Sequence, residues 1–247
     1  MPEVIEGIVL KERAYSETSK IIYLLTKEYG YISVLAKGAR QIKSNLRSVT
    51  TKFTYGYFQV HYKKDKLSTL VSCDVINPFK NIQRDLMKIS YASYLLDLTE
   101  QVLKQTKNNT IFSLLIMTLS KMEEDFNPGI LTSILELKYL DFLGVMPILD
   151  SCSLCGTKVG IITLNASRGG YICKNCHTNE PIYSKKAIQL LRMFYYVDIS
   201  KISTLEVNEK VGKELNTFLE EYYEKYTGLY LKSKNFLKSI NRLKIGN

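Results

Sequence analysis

The chain has 247 residues, 45% of them hydrophobic, which is enough to bury a core in one large domain or two smaller ones. Thirty-four Lys and Arg against 24 Asp and Glu leave a net charge of +10, so a polyanion or an anionic surface is the expected partner. Membrane spanning is excluded by the longest apolar run, Ile111 to Leu119, which is short and broken by Ser113 and Thr118, and the acidic opening Met1–Glu6 does not have the pattern of a signal peptide. The expectation is a cytoplasmic protein.

The first eighty residues read as β structure. Ile8–Leu10 is a short strand, and Lys20–Thr26 is a longer one rich in β-branched and aromatic residues. Lys27–Gly30 turns the chain into Tyr31–Ala36, making a hairpin. Thr54–Tyr62 is dense in aromatics, and Lys63–Lys66 turns it into Leu67–Val75, with Asn77-Pro78 closing the unit. Five short strands in this length suit a five-stranded oligonucleotide-binding (OB) barrel over residues 1–80. Cys73, in an alternating run, is expected to be a buried core thiol.

From Asp85 the hydrophobic period changes to three and four. Leu86, Ile89, Ala92, Leu95, Leu96, Thr99, Val102 and Leu103 lay one apolar stripe along a helix. Thr110–Glu124 is apolar nearly all round and is expected to be the central buried helix. Pro128-Gly129 opens another, with Gly144 as its stop, and Ser184 reads as the N-cap of Lys185–Val197. The last helical stretch runs from Asn208 to about Leu243. The class is therefore α+β: an N-terminal OB barrel, then an all-α domain over 81–247 with a cysteine hairpin inserted at about 150–181.

That hairpin carries Cys152, Cys155, Cys173 and Cys176 in the pattern C-x2-C-x17-C-x2-C. Each knuckle can direct two sulfurs at one ion, and four thiolates form a closed site suited to one structural Zn²⁺. Redox dithiols are the rival reading, and a reducing compartment favours the metal. A module this small has no core of its own, so metal binding should supply much of its folding free energy. His177 follows Cys176 directly, but four thiolates already complete the set, so it is expected at the surface.

Lys37, Arg40, Lys43, Arg47 and Lys52 lie in a stretch without one acidic residue, interspersed with Gly38, Ser44, Asn45 and Ser48. Cations, small residues and hydroxyl donors together suit a phosphate backbone. Residues 1–80 hold thirteen Lys and Arg against seven Asp and Glu, more than half of the excess charge in a third of the length. With Phe58 and Val60 turned into the barrel, Tyr55 and Tyr57 face outward as candidate platforms for bases, although strand tyrosines more often serve packing. A second acid-free basic stretch, Lys232, Lys234, Lys238, Arg242 and Lys244, closes the chain. Phosphate-loop, dinucleotide and hydrolase motifs are missing, and Glu123-Glu124-Asp125 reads as a solvated helix end rather than a nuclease centre. The residues describe a binder, not an enzyme.

Glu6–Lys11 with Arg13–Glu17, then Leu25–Gly30 and Leu35–Arg40 with Lys43-Ser44, resemble the bacterial DNA repair protein RecO family. The four-cysteine hairpin with its approach Arg168–Tyr171 resembles the zinc-bearing members. The resemblance implies a recombination mediator of the RecF-type pathway that binds single- and double-stranded DNA and anneals complementary strands. With its partner RecR it would help load the RecA recombinase on DNA coated with single-stranded-DNA-binding protein (SSB). It further implies a contact with the acidic SSB tail, with Lys185, Lys186 and Arg192 as candidates near the hairpin, and a nucleoid-associated place in the cytoplasm. The alternative is an RNA- or ribosome-associated zinc protein built on the same barrel.

Overall fold

A computed structural model describes residues 1–229 and 231–245. Five strands, β1 (Glu3–Ala14), β2 (Lys20–Thr26), β3 (Gly30–Ala36), β4 (Tyr55–His61) and β5 (Ser68–Asn77), close into a barrel in the order β1-β2-β3-β5-β4. The strand expected at Ile8–Leu10 is the middle of a twelve-residue β1, whose ends carry Glu3, Lys11, Glu12 and Arg13 at the surface and so lack an apolar signal. β1 serves two neighbours: residues 3–8 pair with β4, and residues 7–14 pair with β2 past a bulge between Val9 and Lys11. Bulges of this kind bend a strand enough to turn a barrel corner. Closure is completed by a short parallel contact of β3 with β5 at Val34↔Ser68 and Leu35↔Thr69.

The barrel core is Ile5, Val9, Ile22, Leu24, Val34, Ala36, Phe58, Val60 and Leu70. Strand neighbours of opposite parity, Ile8, Leu10 and Leu25, together with Phe53, belong to the core of the helical domain. Fully burying each such side chain is worth about 2 kcal/mol, so a shared core, not a linker, joins barrel and helices. Cys73 is half-buried against the barrel core, where burial pushes its thiol up to about 12.

Short α2 (Lys80–Arg84) follows the barrel, after the four-residue α1 (Leu46–Val49) inside the basic loop. Asp85 caps α3 (Leu86–Gln105), accepting from the backbone N–H groups of Met87 and Lys88. α4 (Thr110–Glu123) is not the central helix. It buries one side, through Ile111, Phe112, Leu115, Leu119 and Met122, while Ser113, Leu114, Ile116 and Met117 are half-exposed. The centre is α5 (Pro128–Phe142), buried continuously from Ile130 to Leu137 and in contact with α3, α4, α6 and α7. Apolar content alone could not rank the two, because burial depends on how many neighbours surround a helix. α5 ends at Gly144, whose φ of +70° suits the left-handed stop.

The cysteine hairpin carries β6 (Ile161–Asn165) and β7 (Gly170–Cys173). α6 (Lys185–Tyr196), α7 (Glu209–Tyr226) and α8 (Lys232–Ile245) complete the domain. Ser184 Oγ accepts from Ala187 N, and Glu214 of α7 accepts in turn from Ser184. α8 is fastened by Lys234, whose Nζ lies 3.2 Å from Glu136 Oε1 and above the rings of Tyr94 and Tyr223. Of the closing basic stretch, the side chains of Lys238, Arg242 and Lys244 lie outside the described residues.

Candidate nucleic-acid interface and metal centre

The register Ala14↔Lys20 and Lys20↔Ala36 brings the β1–β2 turn and the end of β3 to one end of the barrel. The basic loop starts there and is firmly held. Gly38, at a φ of +69°, permits the first turn, and Gln41 N, Ser44 N and Arg47 N donate in succession to the carbonyls of Gly38, Gln41 and Ser44. Ala39 is buried in the barrel core, and Leu46 packs against it. Arg40 N donates to Thr18 O at 2.9 Å, the Arg40 guanidinium donates to Ser16 O, and Gly38 N donates to Ser19 Oγ. The two loops form a single surface.

On that surface Lys37, Arg40, Lys43 and Arg47 are all exposed, and none has a carboxylate within ion-pair distance among the described residues. Arg13, near the end of β1, is a fifth such cation; it lies outside the basic loop in sequence, and the strand register brings it to this end. Lys52 departs from the group. Its Nζ lies 3.7 Å from Asp97 of α3 and above the Phe53 ring, so it belongs to the junction between barrel and helices.

The two strand tyrosines also separate. Tyr55 is half-buried against Phe79 and Phe112, and its hydroxyl donates to Glu6, so helical side chains occupy the outer face that strand alternation left free for a base. Burial and the Glu6 carboxylate hold its phenol protonated well above the ordinary range. Tyr57 does face outward, yet its cross-strand neighbours are Glu6 and Asp74, an acidic setting.

The four cysteines converge as the spacing required. All four Sγ atoms lie within 4.8 Å of one another, with Cys155 and Cys173 at 3.7 Å. Tetrahedral Zn–S bonds of about 2.3 Å place sulfurs about 3.8 Å apart, so the donor set fits one such ion. Burial pushes the Cys152 thiol up, but the backbone N–H groups of Cys155, Cys173 and Leu154 outweigh it and bring it down to about 6. Cys176 is pushed up to about 12 by its hydrogen bonds with Cys155 and Cys173. Four thiols this close oppose one another's ionisation, and a cation at the centre would resolve that conflict. His177 stands outside the cluster, its Nε2 3.0 Å from the Glu180 carbonyl, and is half-buried rather than at the surface.

The module is clamped to its surroundings. An added Cβ at Gly170 would meet Ile148 O at 2.2 Å, so only glycine allows these backbones to pair. Arg168 Nε lies 2.8 Å from the buried Glu180, which also accepts from Thr178 N. Tyr171 Oη donates to Ile188 O of α6, and Lys225 and Tyr226 of α7 reach Ser167 O at the hairpin tip. Between hairpin and α6 runs an open groove of roughly 630 Å³ lined by Ile161, Tyr171, Ile188, Arg192, Met193 and Tyr196. Arg192 lies 2.8 Å from Asp150 there, while Lys185 and Lys186 stand exposed at the start of α6.

The carboxylate run is the exposed end of α4 at Glu124 and Asp125, as expected, while Glu123 has a structural duty as well. Glu123 accepts from the backbone N–H groups of Asn81 and Ile82 and so caps α2; Glu124 pairs with Lys121, and Asp125 with Lys88. Among the described residues the cysteines are the one cluster of His, Cys, Asp and Glu arranged to hold a metal, and no helix is long and apolar enough to cross a membrane.

Family models match the chain almost end to end: "Recombination protein O N terminal" over residues 1–79 and "Recombination protein O C terminal" over 83–235. The chain belongs to the RecO family. Among its RecO relatives, the DNA repair protein RecO of Bacillus pumilus is 36% identical over 243 residues, 97% of this chain and 94% of the relative. That of Halalkalibacterium halodurans is 36% identical over 242 residues, covering 96% and 95%. A Listeria monocytogenes RecO is 34% identical over 244 residues, covering 97% and 95%. The RecO resemblance read from the N-terminal words and the cysteine hairpin is thus the family shown here.

Proposed function

We propose that this chain is a non-enzymatic DNA repair and recombination mediator that binds single- and double-stranded DNA and anneals complementary strands. One observation carries the reading: a RecO-family barrel presents free cations on an acid-free loop fastened at one end. Phosphates would meet Lys37, Arg40, Lys43, Arg47 and Arg13 there, with Lys52 and Tyr55 kept for the domain junction and Tyr57 away from the cations. Residues 1–80 act as the DNA-binding unit, and 81–247 as the helical unit with its metal module at about 150–181.

Annealing of this kind needs no covalent chemistry. A cationic surface lowers the repulsion between two phosphate backbones and holds both strands at high local concentration, and base pairing then drives the product. The spent carboxylates of Glu123, Glu124 and Asp125 support a binder over a nuclease. Zn²⁺ is the ion that four thiolates suit, and Cys152, Cys155, Cys173 and Cys176 would hold it to fix the hairpin against α6 and α7. The groove beside that hairpin, apolar with Arg192 at its side and Lys185 and Lys186 nearby, has the chemistry to receive the acidic tail of SSB; the tail would compete with Asp150 for Arg192. With RecR, such contacts would support RecA loading on SSB-coated DNA in the cytoplasm, at the nucleoid.

The test is annealing of complementary DNA strands, bare and SSB-coated, with cleavage followed in the same samples. Acceleration on both substrates without cleavage is expected. Selective binding of structured RNA without annealing, or Mg²⁺-dependent cleavage, would refute the reading.

A further inference from the structure

Among the described residues, the other exposed tyrosines are engaged or flanked by acids. Tyr29 stacks on Tyr62 with ring centroids 4.0 Å apart and donates to Glu3; Tyr196 lies under the Arg192 guanidinium and donates to Asp150; Tyr57 sits between Glu6 and Asp74. Tyr15 differs. It is 57% exposed, and among the described residues neither its ring nor its hydroxyl has a partner. Its backbone is fixed all the same, because Tyr15 N and Ser16 N both donate to Ser19 O and Ser19 N donates to Ser16 Oγ.

Ile42 is the second anomaly. At 86% it is among the most exposed large apolar side chains, yet it occupies the centre of the hydrogen-bonded turn Gln41–Ser44, between Arg40 and Lys43. Arg40 ties the two positions together through Ser16 O, one residue after Tyr15 and two residues before Ile42. An unpartnered aromatic ring and an exposed apolar side chain, each on hydrogen-bonded backbone, thus project from the end of the barrel where Arg13, Lys37, Arg40, Lys43 and Arg47 stand, with Glu17 as the only acid of the β1–β2 turn.

Resting on the DNA-binding reading above, we propose that Tyr15 and Ile42 are the base-contacting residues of this site, selecting single-stranded DNA: Tyr15 stacks on a base while Ile42 wedges against its neighbour. The cations explain attraction to any phosphate backbone, single or double. They cannot explain a preference for unpaired strands. An unpaired strand offers base faces that a duplex keeps stacked, and an aromatic ring takes them up without regard to sequence or salt. Apolar side chains inserted between bases act similarly by replacing a stacking neighbour.

The experiment compares wild type, Tyr15→Ala, Ile42→Ser, Tyr15→Phe and the double variant Lys43→Gln/Arg47→Gln. The probes are a fluorescent oligothymidylate and a duplex of equal length, each titrated over a range of salt. Tyr15→Ala should weaken single-strand binding by roughly fivefold to a hundredfold, the usual worth of one stacked base. Ile42→Ser should weaken it by less, Tyr15→Phe should match wild type, and duplex affinity and the salt slope should not move. An oligonucleotide carrying 2-aminopurine should change fluorescence on binding wild type and not on binding Tyr15→Ala. Equal losses on single strand and duplex, or no loss on either, would overturn the proposal while the lysine and arginine variants still report on the DNA-binding reading. A wild-type protein with no salt-dependent affinity for DNA would overturn both.

Discussion

Neutralising Lys43 and Arg47 together should lower the salt dependence of DNA binding by a calculable amount. Five cations, Arg13, Lys37, Arg40, Lys43 and Arg47, are exposed at one end of the barrel with no carboxylate partner among the described residues. Each phosphate neutralised on a single strand contributes a slope of about −0.7 to the logarithm of affinity against the logarithm of salt. Five contacts therefore predict about −3.5, and a fourfold rise in salt should weaken binding about 130-fold. Lys43→Gln with Arg47→Gln leaves three contacts, a slope of about −2.1 and a loss of only about 18-fold over the same range. These two are the right pair to change, because Arg40 also holds Ser16 O and its loss would disturb the β1–β2 turn. Fluorescence anisotropy on oligothymidylate across a salt series measures the slope, and circular dichroism confirms the fold. A folded double variant that keeps the wild-type slope would refute the assignment of phosphates to this loop. The same protocol with Lys52→Gln should leave the slope nearly unchanged, since Asp97 already occupies that ammonium.

Two further outcomes follow from the helical core and from the edge of the barrel. Lys234→Ala leaves the Glu136 carboxylate, whose side chain is 2% exposed and whose Oε2 has no partner among the described residues, with the Tyr94 hydroxyl as its donor and no countercharge, and removing one member of a buried pair costs about 3–5 kcal/mol. Urea denaturation should show a loss of that order, or a smaller one accompanied by fast amide exchange in α8 as the helix lifts to admit water; wild-type stability together with wild-type exchange in α8 would refute the latch. At acid pH, burial pushes the Glu6 carboxyl up but hydrogen bonds from Tyr55 and Lys27 outweigh it and hold it below its ordinary 4.5. The ionised form is thus favoured in the folded state, so its contribution is complete above about pH 4.5 and disappears as pH falls through the lower folded value. Glu6→Gln should flatten stability against pH in that window and nowhere higher, as read from urea midpoints over a pH series.

Local chemistry was legible in the residues themselves. The knuckles bring sulfurs together because x2 spacing leaves little choice, and Asp85 and Ser184 cap the helices that follow them because their side chains reach N–H groups two or three residues on. The β2–β3 hairpin is equally local, paired from Lys20↔Ala36 to Thr26↔Gly30. Positions whose surroundings come from distant parts of the chain were not legible in this way. Tyr55 has the right parity to face outward, but Phe79 and Phe112 arrive from later in the chain and cover it. Lys52 sits in a basic run, yet Asp97 claims it from α3.

Sequence alone therefore determined the barrel class, the clustering of the four cysteines and the place of the basic loop, since each rests on spacing and on composition within a short window. Only the tertiary structure decided that α5 rather than α4 lies at the centre, that barrel and helices share a core, and that Arg40 joins two loops into one cationic surface. Those outcomes depend on which faces meet. Face-to-face contact is settled by packing many side chains far apart in sequence at once, and no single stretch of the chain carries that information.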